Sequence, residues 1–579
     1  MEPFLQFDFT EADNNQPICF VNPVQVIAVY SPVEVPAAFQ KIEAAIQEGY
    51  YAAGFVSYEA APGFDTAYQV HQVTGDLPFV WFGIFENPVE PNSRTESLSK
   101  YQISDWKLDT TQKEYRQGIM AIKQAIEAGD TYQVNYTARL IAQFQGDDYS
   151  FYQQLKENQQ SDYAAYLNIG RYRILSASPE LFFRVSNGVI TTKPMKGTAK
   201  RGRSMKEDEQ FKHKLSTSEK DRAENLMIVD LLRNDMGRIA KPGTVKVPSL
   251  FAIDSYPTVH QMTSTIEAEL EPDTTILDWF HALFPCGSIT GAPKISTMNY
   301  IYKLEKSPRH VYCGAIGYIT PDREAIFNVP IRTVLIDKEE ETAIYGAGGG
   351  VTWDSTVDGE HEELMAKARL LKEKRKEFHL LESLKLQNGS YPLYQRHMNR
   401  LISSARYFCF SMDAERVSKA LQNVADDNPV GAFKVRLLVS KAGEVTVEAA
   451  AIRPLETVVC SLAQSPVDKQ DPFLYHKTTH RDVYDAHTKA SPEDVFSVLL
   501  WNEKEEITEF TIGNVVIEKH GKLYTPPVEC GLLNGTFRQE LMEKGVVMER
   551  KINKCELDKA EAVWLINGVR GWVKVELQE

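Results

Sequence analysis

The chain has 579 residues, a formal charge of −15, and a composition that is 43% hydrophobic and 25% charged. That length exceeds one core and points to two to four soluble domains. The acidic balance argues against nucleic acid as the main partner, yet leaves a small anionic substrate open, because local charge governs a cleft.

No apolar stretch reaches membrane-spanning length, so no membrane partner is expected. The opening Met1–Gln6 lacks a basic region followed by an apolar run, so no secretory signal is expected either. Seven scattered cysteines without a CxxC pair read as reduced thiols of a cytoplasmic protein, and not as a disulfide framework or zinc site.

In chain order, Ser176–Val185 and Val189–Lys193 read as strands. Ser218 followed by Asp221 starts a helix running to about Arg233. Val311–Thr320 and Ala325–Ile336 read as paired strands joined by Pro321-Asp322-Arg323-Glu324. A helical pattern from near Gly359 ends in the charged run Leu371–Glu377, which places a domain boundary at about 375. Beyond it, strands are expected at 378–386, 433–439, 444–452, 495–501, 505–509 and 513–518, with a helix around 397–408. The fold class is α+β in two domains, 1–375 with much antiparallel sheet and a smaller 376–579.

Several residues carry candidate chemistry. Pro194-Met195-Lys196-Gly197-Thr198 sets an amine beside a glycine turn. A free lysine has a pKa of about 10.4, so deprotonation at neutral pH costs about 4–5 kcal/mol. A nucleophilic lysine needs a site that lowers this cost. Asp221 and Glu224 share a helix face, as do Glu360 and Glu363. Such oxygen-only sets suit Mg²⁺. Gly346–Gly350 lets a backbone approach an anion. Arg332 lies within an apolar strand pattern and needs a carboxylate partner. Taken singly, the same residues read first as a surface lysine, solvated acidic faces and a flexible loop.

The run Gly287-Ser288-Ile289-Thr290-Gly291-Ala292-Pro293-Lys294 resembles the signature of the chorismate-utilising enzymes, which include anthranilate, aminodeoxychorismate, isochorismate and salicylate synthases. Asp221–Asp235, Gly317-Tyr318, Ile331-Arg332-Thr333 and Gly348–Ser355 agree in the same order, so the resemblance covers roughly 115 to 370. It implies chorismate as substrate and Mg²⁺ as cofactor. By motif, Glu224 and Glu363 are metal ligands, with Asp221 and Glu360 close by. Gly348 and Gly350 supply amides, Tyr318 and Arg332 hold the enolpyruvyl carboxylate, and Thr290 contacts the substrate. Glu180 protonates the departing C4 hydroxyl, a poor leaving group that needs a general acid.

Two positions discriminate within the family. Members that add water at C2 resemble one another in a lysine base where this chain has Gln133. Anthranilate synthases have alanine where this chain has Lys196, and aminodeoxychorismate synthases have lysine. Its implied role is to attack C2 and expel the C4 hydroxyl, after which ammonia attacks C4. The family's catalytic histidine falls on Gln261, with His260 adjacent as the candidate substitute.

Farther on, His476-Lys477-Thr478-Thr479 leads into Arg481 and Tyr484. With Arg396–Leu401, Lys434–Leu438, Ile507-Thr508-Glu509 and Gly531–Arg538, it resembles the fold type IV pyridoxal phosphate enzymes over about 378 to 545. The resemblance implies that Lys477 binds the cofactor covalently and shuttles a proton, and that Glu509 pairs with the pyridinium nitrogen. Tyr484 would complete the cofactor site, and Arg400 with the turn Gly535-Thr536-Phe537 would hold the phosphate. The aspartate-arginine-glycine opening usual in that family is absent.

Together the resemblances imply a fused synthase and lyase. Chorismate and ammonia would give 4-amino-4-deoxychorismate, then loss of pyruvate would give 4-aminobenzoate for folate. No cysteine stands in a nucleophile-elbow context, so ammonia is expected from solution or from a separate glutamine amidotransferase subunit. A homodimer through the second domain is compatible with the resemblance. Three rivals stay open: an anthranilate-type synthase with a non-lyase tail, a synthase fused to an amino acid aminotransferase, and a non-catalytic scaffold.

Overall fold

A computed structural model describes residues 2–10, 16–73, 75–90, 100–373, 376–453, 455–492 and 494–578. The expected boundary at about 375 falls on residues outside these ranges. By its contacts the chain forms two units: Met1–Lys200 with Lys212–Arg375, and Arg201–Phe211 with Lys376–Glu579.

The first unit holds two ten-stranded sheets, each with strands beside its main path: Tyr101–Ile103 and Lys107–Leu108 pair with Gln133–Gly146 in the first, and Lys246–Ser255 with Val259–Glu269 in the second. The first sheet runs Gly291–Ala292, Gln133–Gly146, Thr342–Val351, Thr333–Asp337, Tyr172–Ser178, Tyr163–Asn168, Phe4–Phe9, Ile18–Val21. The second runs Met195–Lys200, Val259–Glu269, Val189–Lys193, Leu181–Ser186, Ala325–Asn328, Ala315–Ile319, Tyr51–Val56, Val80–Phe85, Gln25–Val29. One apolar core joins them, with Leu5, Phe7 and Ile174 from the first packing on Phe55, Trp81 and Tyr318 from the second.

Two expected strands are each broken in two, and the halves lie in different sheets. Ser176–Val185 breaks at Pro179-Glu180, with Tyr172–Ser178 in the first sheet and Leu181–Ser186 in the second. Ala325–Ile336 breaks at 329–332, with Ala325–Asn328 in the second sheet and Thr333–Asp337 in the first. A proline stands in each break, Pro179 and Pro330, where it withholds a ladder donor. The crossings lie side by side. Val329 N donates to Glu180 O (3.0 Å) and Ala177 N to Arg332 O (3.1 Å). Arg332 therefore sits at a left-handed bend, φ 55°, and not inside a strand as its apolar neighbours imply.

The glycine run, open to a loop reading, lies in the strand Thr342–Val351. It pairs with Gln133–Gly146 through to Val351↔Val134. Side chains could not be accommodated there. A Cβ on Gly348 would lie 2.1 Å from Tyr136 O, and one on Gly346 2.3 Å from the Tyr312 ring. The helix Val357–Ala368, capped by Thr356, packs on this strand, while Glu219–Gly237, capped by the Ser218 hydroxyl, packs on Met195–Lys200 and Val259–Glu269.

A buried ionic cluster braces the same strand pair. Glu305 takes Arg139 at 2.8 Å and Arg309 at 2.6 Å, with every partner at most 2% exposed. Arg309 also donates to Asn135 O (2.7 Å) and Ile289 O (2.9 Å), fixing the Gly287–Thr290 turn against the long strand.

In the second unit, the sheet Leu380–Gln387, Ala432–Val439, Val445–Ala451 packs against helices Tyr394–Phe408 and Ala414–Asp427. An eight-stranded sheet follows. Six of its strands close on themselves, because Ile507–Phe510 pairs with Gly513–Lys519 as well as Ser497–Trp501. Closure removes two free edges. The Lys477 segment is held by strand-like bonds, with Leu381 N donating to Lys477 O (3.0 Å). No helix among the described residues is long and apolar enough to cross a membrane.

Glu305→Ala strands two buried guanidinium groups, so it is expected to cost about 3–5 kcal/mol. A denaturant titration against the wild type measures this.

Candidate active site

In the first unit, Lys196 follows the first residue of the edge strand Met195–Lys200, just before Gly197 at φ 88°. A Cβ at Gly197 would lie 3.0 Å from Asp221 Cβ, so the helix carrying Asp221 presses directly on the turn. Asn225 of that helix is wholly buried and reaches Lys196 O at 3.5 Å. Lys196 as a whole is half-buried, and its Nζ lies near the glycine strand. A Cβ on Gly350 would sit 3.1 Å from Lys196 Nζ and 1.8 Å from Gln133 Nε2. Gln133 is thus at the same spot, 1% exposed.

Burial lowers the Lys196 pKa, and Lys367 adds to this, while Glu180 and Glu224 oppose it. The reciprocal effect falls on Glu180. Burial pushes its carboxyl up to about 7, against the pull of Ser288 and Lys196. The sheet crossing puts Glu180 there: its backbone leaves one sheet for the other, and its side chain is 3% exposed.

Two of the four acidic candidates, Glu360 and Glu363, meet at the glycine strand, while Asp221 lies at Gly197. A Cβ on Gly349 would lie 3.1 Å from Glu360 Oε2 and 3.4 Å from Glu363 Oε1. Glu224 and Glu360 are both raised by burial, and each feels Glu363. Glu363 is the exception. Burial would raise it, but Lys367 overcomes this, bonding it at 2.6 Å and donating also to Gly348 O at 2.6 Å. Among the described residues, Gln133 Oε1, Glu180 Oε1 and Glu360 Oε2 are buried without a hydrogen-bond partner. Buried polar atoms are rarely left so, and three together mark a place where a polar ligand belongs. A hard cation fits the orphaned Glu360 oxygen and the all-oxygen donor set. However, no three ligating groups converge among the described residues, and Lys367 stands on Glu363 as its counter-ion.

The expected substrate contacts Tyr318 and Thr290 and the candidate histidine His260 have the following surroundings. Tyr318 is a core residue, with its ring against Phe7, Phe9 and Phe20 at 5.3, 6.1 and 6.0 Å between centroids. Strand alternation turns it into the apolar layer. The tyrosine at the glycine strand is Tyr312, over which Arg139 stacks. Thr290 directs its hydroxyl to Cys286 O (3.0 Å) within its own turn. His260 is fully buried with Nδ1 3.0 Å from Ser255 Oγ, while Gln261 accepts from Thr198. Arg332 donates to Lys367 O (3.0 Å) and so borders the acidic group. Lys367, Asn225 and Tyr312 lie in or beside recognisable motifs, but nothing in their spacing marks them out.

The second unit holds a cavity of about 310 Å³ lined by Lys477, Arg400, Tyr484, Glu509, Thr536 and Arg570 among others. Burial brings Lys477 down to about 8, with Arg400 adding to it and Glu382 opposing. Burial raises Glu509 to about 7. Glu509 stands at the seam that closes the six strands, opposite Asn514. Tyr484 OH donates to its Oε1 (2.8 Å) and Asn514 Nδ2 to its Oε2 (3.1 Å). Tyr484 therefore acts on the carboxylate.

Arg400 is bound bidentately to Glu382 at 2.8 and 2.7 Å, and His397 Nδ1 lies 2.7 Å from the same carboxylate. Burial alone would raise Glu382, but Arg400 and His397 hold it well below the usual range. His397 Nε2 reaches Thr536 Oγ1 at 3.3 Å, at the start of the helix Thr536–Glu543. Helix start, arginine and histidine thus stand together at one end of the cavity. Phe537 turns its ring to Trp572, so only its backbone belongs to the turn. Pyridoxal phosphate fits this donor set. Glu382, His397 and Asn514 were not singled out from sequence.

Residues 6–373 match the model of the chorismate binding enzyme family. The chain belongs to the chorismate binding enzymes. Residues 379–577 match the amino-transferase class IV model. The aminodeoxychorismate synthase component 1 of Salmonella typhimurium is 41% identical over 265 residues, 46% of this chain and 58% of that one. Its counterpart in Escherichia coli K12 is 41% identical over 279 residues, covering 47% and 60%. The chain thus spans under two thirds of the relatives it matches. Anthranilate synthase component I from Streptococcus pneumoniae has a similar fold, at TM-score 0.53 and 25% identity over 64% of this chain and 90% of that one.

Because Glu180 has its folded pKa above its unfolded value, its share of stability is complete below about 4.5 and lost as pH rises through about 7. Glu180→Gln is therefore expected to gain up to about 3 kcal/mol on the wild type between pH 4.5 and 8. Chemical denaturation at both pH values reads this. Gly350→Ala, driven into Gln133 and Lys196, is expected to cut turnover at the first centre at least about 100-fold, with stability checked in parallel.

Proposed function

We propose that the chain is a bifunctional enzyme of 4-aminobenzoate formation. The observation that carries this is the enclosure of Lys196 Nζ with Gln133 against Gly350, in electrostatic contact with Glu180. A partly desolvated amine is a nucleophile near neutral pH. In the first reaction it adds to C2 of chorismate. The ring double bonds shift, and the C4 hydroxyl leaves as water with the proton of Glu180. Ammonia then bonds to C4, the bonds shift back, and Lys196 departs from C2 as a free amine. Glu180, up to about 7, is protonated over the range where this is needed. Gln133 is not a base, which disfavours adding water at C2. Arg332 and the amides of Gly348 and Gly350 would hold the substrate carboxylates, and Glu360 with Glu363, which meet at Gly349, would hold Mg²⁺, with Glu224 close enough to feel Glu363.

In the second reaction pyridoxal phosphate, when bound, supplies an electron sink at the carbon bearing the new amine. Lys477 Nζ moves a proton from that carbon toward the leaving enolpyruvyl group. Glu509 keeps the ring nitrogen protonated, and Arg400, His397 and Thr536 hold the phosphate. Lys434, Arg436, Arg481 and Arg570 also line the cavity. Four cations suit a dicarboxylate better than an amino acid with one carboxylate, which favours the lyase over the aminotransferase reading.

The similarity to synthase component 1 supports a separate glutamine amidotransferase as ammonia source. The seven free thiols, five of them buried, support a cytoplasmic setting, and 4-aminobenzoate supports a role in folate synthesis.

The test supplies chorismate, Mg²⁺, ammonium and pyridoxal phosphate and identifies products. 4-Aminobenzoate and pyruvate are expected, and anthranilate would overturn the reading of Lys196. Lys196→Ala is expected to lower aminodeoxychorismate formation at least about 1,000-fold. Lys477→Ala is expected to accumulate aminodeoxychorismate, seen by chromatography.

A further inference from the structure

The second unit contains a short segment, Arg201–Phe211, that follows directly in sequence on the strand carrying Lys196. Its own geometry is tightly specified. Arg201 grips Asp208 with two bonds, 2.8 and 2.9 Å, and both side chains are at most 7% exposed. Gly202 N donates to the same carboxylate at 2.8 Å. A Cβ at Gly202 would lie 2.2 Å from Asp208 N, so the turn closes only on glycine.

This turn is joined to the residues around Lys477. Arg201 donates to Tyr407 O (2.7 Å) and lies over the Tyr407 ring at 4.4 Å. Tyr407 OH donates back to Gly202 O (2.6 Å). The other face of the contact is His476, whose ring stacks on Tyr407 at 4.2 Å. Its Nδ1 lies 3.0 Å from Ser404 Oγ. Its Nε2 makes no hydrogen bond of normal geometry, although the Arg203 backbone is near enough to act on it. Burial takes His476 down to about 3, and Arg201 adds to this while Asp208 opposes it, so the ring is neutral. The next residue is Lys477. None of these groups lines the cavity, so they act on Lys477 through the backbone.

We propose that Arg201–Asp208 is a positioning element of the second centre, clamping Tyr407 and His476 so that Lys477 is held in register, and making the cofactor lysine depend on chain continuous with Lys196. The proposal rests on the reading of Lys477 as the cofactor lysine. It differs from a structural role in its local readout. Arg400, Glu382, Arg481 and Glu509, the charged groups that act on Lys477, are untouched by changes in the segment.

The test uses the full chain with Asp208→Asn, Arg201→Gln and Tyr407→Phe. Hydrogen exchange of the peptide spanning 474–480 is measured, together with the pH midpoint of the visible band after pyridoxal phosphate loading. At a melting temperature close to wild type, exchange at 474–480 is expected to quicken at least about fivefold, and the midpoint to move. Unchanged exchange and midpoint in the folded variants would overturn the proposal. Should Asp208→Asn fail to fold, Tyr407→Phe, which removes a single hydroxyl, decides. If wild type takes up no pyridoxal phosphate, the cofactor reading fails, while the exchange measurement still decides whether the segment orders 474–480.

Discussion

The first centre depends on a stretch of strand nearly bare of side chains, where Ala347 alone interrupts the glycines. Gly346–Gly350 keeps its pairing with Gln133–Gly146, and its bare positions admit Lys196 and Gln133 at Gly350 and Glu360 and Glu363 at Gly349. Each glycine carries an entropic cost of about 0.5–1 kcal/mol relative to alanine. The pairing with Gln133–Gly146 and the buried Arg139–Glu305–Arg309 cluster offset it and keep the strand flat against its neighbour. A flexible loop of the same composition could not hold an amine close to a carboxylate in a dry site.

The two centres handle their lysines by the same physics. Each amine is lowered by burial, and each has a carboxylic acid raised to about 7 by burial within its electrostatic reach, Glu180 for Lys196 and Glu509 for Lys477. Desolvation disfavours the charged form of both groups at once. The neighbours differ according to the chemistry. Glu180 keeps an unbonded oxygen, suited to delivering a proton. Glu509 has both oxygens engaged by Tyr484, Asn514 and Leu533 N, suited to staying in place as a counter-ion.

Much of the fold was legible as pattern. The helix from Ser218 follows from its cap, and the strands of the second domain from their apolar runs. The failures cluster where strands change sheets. Ser176–Val185 and Ala325–Ile336 look continuous because hydrophobic periodicity does not register which sheet a residue joins. The breaks are at Pro179-Glu180 and 329–332, and they carry Glu180 and Arg332. Local periodicity gives way at such crossings, where a proline interrupts the ladder. Tyr318 was misplaced for a related reason: a motif gives a residue's order in the chain, and only the pleat decides which face it takes.

The sequence by itself determined the family and the order of the two matched regions, and it singled out Lys196, Glu180, Lys477 and Glu509 as candidates, because all of these rest on residue types in ordered motifs. Tertiary structure alone decided that Lys367 occupies Glu363, that Tyr312 and not Tyr318 meets the glycine strand, and that Arg201–Phe211 packs with the second domain. Such facts depend on contacts between residues far apart in the chain, where burial and pairing are settled by the whole fold and not by any local pattern.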